Sequence, residues 1–256
     1  MGIAAALLIT MVLTPTPVAP EYVALGDSYA AGVGAGDYDA GSGQCRRSRN
    51  AYPELRQAAH GYASFRFVAC SGATTQDVLD SQVDDLTAET GLVTLTVGGN
   101  DIGFADVMTT CTLSSDRSCV AAVDRARQVI TNEVPGRLDE VFARIKTAAP
   151  DAKVVVLGYP HLFEQRNCLG GLTDAKRNAI NAGADQLADV TAARTAEAGA
   201  TFVDMRTAFA GHGICGEEPW LHALTNPTGD SYHPNKAGQA AYAAALDQAG
   251  TVAKAA

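Results

Sequence analysis

The sequence predicts an α/β domain of three layers, with a mostly parallel sheet of about five strands between helices. Three observations lead there. Short apolar runs recur along the chain, at Tyr22–Leu25, Phe65–Ala69, Leu92–Val97, Val154–Leu157 and Thr201–Val203. They are near-continuous, not alternating, as suits strands covered on both faces. The gaps between them are long enough for helical crossovers. Right-handed crossovers bring the loops that follow the strands to one edge of the sheet, where ligands bind in open α/β folds.

Helical periodicity fills several of those gaps. Residues 120–147 carry Val123, Ile130, Val134, Leu138, Val141 and Ile145 at spacings of three and four, and Pro135 within that stretch predicts a kink or two helices. Residues 173–198 are alanine-rich, with Ile180, Leu187 and Val190 on one stripe. Residues 234–249 open with Pro234 at an expected helix start. The 256 residues suffice for one sizeable domain, and no linker or internal repeat divides them. Residues 20–256 are therefore expected to form a single domain.

Hydrophobic residues make up 47% and charged residues 18%, the balance of a globular protein. The formal charge of -9 argues against nucleic-acid binding, because the one basic cluster is Arg46, Arg47 and Arg49. That cluster is expected to be solvated or ion-paired surface. Bulk charge also argues against a role on anionic membranes. Met1 to Leu13 is small and apolar and is followed by a Thr-Pro-Thr-Pro stretch. Such a run has signal-peptide length and is too short to span a bilayer. Residues 1–19 are expected to be a signal peptide, although the charged start of such a segment is missing, as it would be in a truncated one. The expectation is a secreted monomer without stable membrane insertion.

Six cysteines are present, Cys45, Cys70, Cys111, Cys119, Cys168 and Cys215, with no C-x-x-C pair. No metal or cofactor motif accompanies them, and neither group is expected. An even count behind an export signal suggests three disulfides, for which sequence alone permits about fifteen pairings. Neighbours in chain order are favoured: Cys45–Cys70, Cys111–Cys119 and Cys168–Cys215. The alternative is six buried thiols in a cytosolic protein.

Four short motifs carry chemistry. The first strand runs into Gly26-Asp27-Ser28-Tyr29, which places a Ser at the ligand edge of the sheet. Taken alone it reads equally well as a helix cap. The second strand ends in Cys70-Ser71-Gly72-Ala73, where Gly72 can offer its N–H without a side chain in the way. The third ends in Gly98-Gly99-Asn100-Asp101, and an Asn amide can donate to a developing oxyanion. The fourth is Asp230-Ser231-Tyr232-His233-Pro234, which supplies a base near neutral pH with a carboxylate three residues before it. His60, His161, His212 and His222 lack such a setting. Asp27 and Asp101 are expected to bond loop N–H groups. Trp220 and Leu221 are read equally as acyl-pocket lining or ordinary packing.

In this order, Gly-Asp-Ser-Tyr, Ser-Gly, Gly-Gly-Asn-Asp and Asp-x-x-His-Pro resemble the four blocks of the SGNH (GDSL-type) hydrolases. The resemblance runs from Tyr22 to about Ala245. The stretch from Cys45 to Pro53 and the cysteine spacing are similar to secreted actinobacterial lipases and esterases of that family. The resemblance implies a flavodoxin-like fold, the same neighbour pairing of cysteines and a serine hydrolase. It makes Ser28 the nucleophile and His233 the base, with Ser28 and Gly72 N–H groups and the Asn100 amide as the oxyanion hole. The imidazole would be oriented by Asp230 or by the main-chain carbonyl of Ser231. A carboxylate partner would raise the titration of His233 above its usual value of about 6.5. The implied substrates are small-molecule or lipid esters, including phospholipids. A carbohydrate acetyl esterase and a non-catalytic binding protein on the same fold are the alternatives.

Overall fold

A computed structural model describes residues 20–252, apart from 167 and 169–171. The expected signal segment, residues 1–19, lies outside the described residues. In chain order the elements are β1 (Glu21–Gly26), α1 (Ser28–Ala31), α2 (Tyr52–His60), β2 (Ser64–Phe67), α3 (Thr75–Asp77), β3 (Thr90–Thr96), α4 (Phe104–Leu113) and α5 (Asp116–Asn132). There follow α6 (Val134–Ala148), β4 (Lys153–Leu157), α7 (Asp174–Glu197), β5 (Thr201–Val203), α8 (Met205–Ala208) and α9 (Lys236–Val252).

The strands form one sheet in the order β2-β1-β3-β4-β5, and every neighbouring pair is parallel. Alternation along the strands divides the core in two. Tyr22, Ala24, Leu92, Val155 and Leu157 face one apolar cluster, which Tyr52 of α2 and Tyr242 and Leu246 of α9 complete. Val23, Leu25, Val93, Leu95 and Val156 face the other, which Val78, Val83 and the α6 residues Leu138, Val141 and Ile145 complete. The strand order reverses between β1 and β3. In parallel sheets that switch point opens a crevice at the carboxyl ends of the strands. Ser28 follows β1 and Asn100 follows β3, so both sit at this crevice.

Several boundaries differ from the sequence reading. Residues 120–147 contain two helices, one of the two outcomes expected from Pro135, but the break is not at the proline. The break falls at Glu133 (φ -121°), and Pro135 sits in the first turn of α6, where a missing N–H breaks no bond. Pro234 lies ahead of α9, not inside it, and Asn235 caps the helix by accepting the Gly238 N–H at 3.0 Å. The second strand stops at Phe67, because Val68 and Ala69 both donate to the Ala24 carbonyl, at 3.0 and 3.1 Å. Helices α2 and α4 lay outside the sequence expectations.

Candidate active site

β1 delivers the Ser28 turn under tight backbone control. Gly26 has φ +128°, and a Cβ there would meet the Thr96 carbonyl oxygen at 2.4 Å, so only glycine lets β1 and β3 close together here. The buried amide of Gln82 grips Gly26 from both sides. Its Oε1 accepts the Gly26 N–H at 2.7 Å and its Nε2 donates to the Gly26 carbonyl at 2.9 Å. Ser28 then opens α1, with Asp27 as the cap whose carboxylate accepts the Tyr29 N–H at 2.9 Å. The helix-cap reading and the exposed-serine reading of this tetrapeptide thus describe the same turn.

His233 reaches Ser28 across more than 200 residues of chain. Its Nε2 lies 2.8 Å from Ser28 Oγ, and its Nδ1 lies 2.9 Å from the Ser231 carbonyl oxygen. A carbonyl only accepts, so Nδ1 carries the proton and Nε2 is left to accept from the Ser28 hydroxyl. The loop is braced by its neighbours. His222 and the His233 segment exchange backbone bonds, and the Tyr29 hydroxyl donates to the Tyr232 carbonyl at 2.6 Å. Tyr232 holds φ +64°, the local twist that turns the following imidazole inward.

The Asp230 carboxylate is elsewhere. It accepts from the Tyr38 hydroxyl at 2.9 Å and forms an ion pair with Arg46, whose guanidinium also lies over the Tyr38 ring, 4.6 Å from its centre. Of the two orienting groups read from the sequence, the Ser231 carbonyl is the one in contact with the imidazole. The upward shift that a carboxylate partner would bring to His233 is absent. Burial pushes the imidazole down to about 4, and neither the Ser231 carbonyl nor the charge of Asp230 offsets it.

The three expected oxyanion donors come from three loops. Ser28 N–H is the first of its helix and has no intrahelical acceptor. Gly72 has φ +84° with open space where a Cβ would stand, and its N–H has no backbone acceptor among the described residues. Asn100 Nδ2 donates one proton to the Ala73 carbonyl at 2.9 Å, which leaves its second proton for a ligand. Asp101 fastens the same loop: it accepts the Thr75 N–H at 3.0 Å and the Thr75 hydroxyl at 2.5 Å. Asp27 and Asp101 therefore bond loop N–H groups, as read from the sequence.

A cavity lined in part by Ser28 and Asn100 has about 720 Å³ of empty space when its open mouth is included. Its walls are apolar: Ile102, Phe104, Val107 and Met108 from β3 onward, Val123 and Ile130 of α5, and Ile180 and Leu187 of α7. Sequence reasoning missed this lining as a site. The helical stripes of α5 and α7 were legible, but their apolar faces read as core. Trp220 and Leu221 take no part in it. Leu221 is buried in a bridge to Pro234, and Trp220 stacks on His212 with ring centres 3.5 Å apart.

The disulfides are Cys45–Cys70, Cys111–Cys119 and Cys168–Cys215, the neighbour pairing. The first ties the Arg46 loop to the Gly72 turn. The second joins α4 to α5, two walls of the cavity. Arg47 donates to the Ala69 carbonyl at 3.3 Å and Arg49 pairs with Asp37 at 3.1 Å, so the basic cluster is ion-paired and hydrogen-bonded surface.

Residues 24–241 match the GDSL-like Lipase/Acylhydrolase family. The chain belongs to that family. As a family member it is an ester hydrolase, and its relatives agree. It is 50% identical over 222 residues to Lipase 1 of Streptomyces coelicolor, with 86% of this chain and 83% of the relative covered. The crystal structure of phospholipase A1 from Streptomyces albidoflavus NA297 is 51% identical, superposes with a TM-score of 0.89, and is covered over 99% of its length by 90% of this chain. The extracellular lipase of Streptomyces rimosus is 49% identical with a TM-score of 0.88, over 90% of this chain and 100% of that one. Among the described residues no helix is long and apolar enough to cross a membrane.

Proposed function

We propose that this GDSL-family chain is a secreted lipase that cleaves acylglycerol or phospholipid esters through an acyl-enzyme on Ser28. The observation that carries the reading is the 2.8 Å contact of His233 Nε2 with Ser28 Oγ at the mouth of the apolar cavity. Ser28 Oγ attacks the ester carbonyl carbon, and its proton passes to His233 Nε2. The oxyanion is held by the N–H groups of Ser28 and Gly72 and by the Asn100 amide. The Ser231 carbonyl supports the imidazolium through Nδ1–H, so Ser28 and His233 act as a dyad. The tetrahedral centre collapses, His233 gives its proton to the departing alcohol oxygen, and the acyl group stays on Ser28. Water then repeats the sequence, losing a proton to His233 and releasing the fatty acid.

The acyl chain fits the cavity between α4, α5 and α7, whose volume and apolar walls favour medium or long chains over acetyl. No observation favours the sugar-esterase or the non-catalytic reading. Three disulfides and the extracellular relative from Streptomyces rimosus support secretion, with residues 1–19 as the export signal and residues 20–256 as one domain acting as a monomer. Ser28→Ala tests the reading. With a panel of nitrophenyl esters of graded length, the variant should lose at least about a thousandfold in kcat/KM and keep its melting temperature. Turnover near that of the parent would remove Ser28 from the reaction.

A further inference from the structure

One buried carboxylate beside the nucleophile has no part in the steps above. Asp27 is 1% exposed, and no cation pairs with it among the described residues. Its Oδ1 accepts the Tyr29 N–H at 2.9 Å, and its Oδ2 accepts the Tyr159 hydroxyl in a short bond. The Tyr159 hydroxyl in turn accepts the Gly99 N–H at 3.0 Å. Gly99 immediately precedes Asn100. Tyr159 follows β4, where Gly158 is pinned by the Tyr242 hydroxyl at 2.8 Å and by its own N–H to Val203 at 3.0 Å. The Tyr159 ring also packs edge-on against Tyr29, with ring centres 5.1 Å apart, and Tyr29 braces the His233 loop.

We propose that Asp27 and Tyr159 are positioning residues that lock the oxyanion loop at Gly99–Asn100 to the Ser28 turn, holding the Asn100 amide in register with the nucleophile. The direction of each bond is what makes the pair a unit. A Tyr hydroxyl has one proton. Its proton goes to Asp27 Oδ2, which turns the oxygen lone pairs towards the Gly99 N–H. Removing the carboxylate's acceptor role therefore also weakens the hold on Gly99. A buried carboxylate without a cation is expensive, and burial raises Asp27 to about 7 despite the bonds from Tyr159 and Tyr29. The groups that face it are the hydroxyls of Tyr29, Tyr52, Tyr159 and Tyr242 and the carboxylate of Asp101, none of which is a cation.

The proposal rests on the Ser28 chemistry above, and its test separates the two. Tyr159→Phe removes the hydroxyl and keeps the ring. Asp27→Asn keeps an acceptor for Tyr29 but presents N–H groups to Tyr159. Each should lower kcat by about ten- to a hundredfold, below the loss for a whole oxyanion donor, with KM within about twofold. Inactivation by a nitrophenyl phosphonate, which forms a tetrahedral adduct on the serine, should slow by the same factor. The double variant should be no slower than the worse single one, because the two residues act as one unit. A Tyr159→Phe enzyme with parental kcat, or losses that multiply in the double variant, would overturn the proposal. Failure of Ser28→Ala to abolish turnover would instead sink the parent reading. A measurement on the unaltered chain covers the case in which the variants fail to fold. Protonation turns one of the two Asp27 oxygens that accept from Tyr29 and Tyr159 into a donor, and burial brings that event to about pH 7, so kcat should fall as pH drops through about 7, above the ionisation of His233. A kcat constant between pH 5 and 9 would overturn the proposal as well.

Discussion

Two aspartates flank the Ser28–His233 pair, and the fold treats them in opposite ways. Asp27 precedes the serine, is sealed from water, and is held by hydroxyl and N–H donors alone. Asp230 precedes the histidine by three residues, is partly exposed, and is neutralised by Arg46 with help from Tyr38. By sequence spacing Asp230 is the obvious acid of a triad. By geometry it serves the surface, and a main-chain carbonyl takes the place beside the imidazole. A carboxylate can orient a histidine only if nothing stronger claims it, and a guanidinium offers charge-assisted bonds that a neutral imidazole cannot match. Spacing of three residues leaves that competition undecided, because the competitor comes from a loop near Cys45.

The largest effect expected on this comparison comes from the base itself. His233→Ala should lower kcat/KM by about a thousandfold or more, as loss of a general base does in serine hydrolases. His222 donates its Nε2–H to the Gly34 carbonyl at 2.8 Å and cannot replace it. Steady-state kinetics on a chromogenic ester decides the point; an active variant would leave the dyad without its base.

The cavity is the next feature to probe. Ala126 lines it on α5, opposite Gly183 and Ala184 of α7, where small residues leave room for a chain. Ala126→Phe should lower kcat/KM for a long-chain ester by about a hundredfold while sparing a short-chain ester, since the added ring fills space and leaves Ser28 untouched. Equal losses on both esters would show that the acyl chain lies elsewhere.

The fold and the Ser28–His233 contact were legible in the sequence for one reason. The Ser, Gly, Asn and His motifs each follow a strand or precede a helix, and a parallel sheet gathers strand ends on one edge. Ser28, Gly72, Asn100 and His233 are placed by that rule. The cavity was not legible, because a helix face that lines a void and one that packs a core have the same apolar period. Val123 and Ile180 read identically in either role. The Arg46–Asp230 pair was not legible either, being a contact across 184 positions between two loops. Arg46 itself sits at φ +53°, a local turn that no neighbouring glycine announces.

The disulfides give a third, smaller effect, on stability. They close segments with separations of 25, 8 and 47 residues. Each constrains the unfolded chain by roughly 2.5–4 kcal/mol in the loop-entropy treatment, with incomplete additivity. Reduction should lower the melting temperature by at least about 10 °C, as read by calorimetry. Titration of the denatured, unreduced protein should find no free thiol. Removing the Cys111–Cys119 pair should, beyond its stability effect, act on long-chain esters more than on short ones, since it joins two cavity walls.

The smallest effect is the one that separates the two aspartates most sharply. Burial keeps the His233 imidazole neutral down to about pH 4, so kcat/KM should rise with pH through an ionisation near 4 and be level for His233 above about 6. The stability contribution has the same sign. The unfolded imidazole binds its proton at about 6.5, so stability linked to this group is present above that pH and is lost as pH falls towards 4. Asp230 favours the charged imidazole, and Arg46 opposes it. Asp230→Asn should therefore move the kinetic midpoint further down, whereas Arg46→Ala should move it up. In rate, Asp230→Asn should cost no more than about tenfold, or about 1.4 kcal/mol in the barrier. Loss of a true triad acid would cost about ten-thousandfold. A loss of that size in Asp230→Asn, with the variant folded, would mean that Asp230 leaves Arg46 and turns to His233 during the reaction. A mild loss with the midpoint lowered leaves Ser231 as the group that orients the base, and makes the Arg46 ion pair the reason that a nearby carboxylate is not needed.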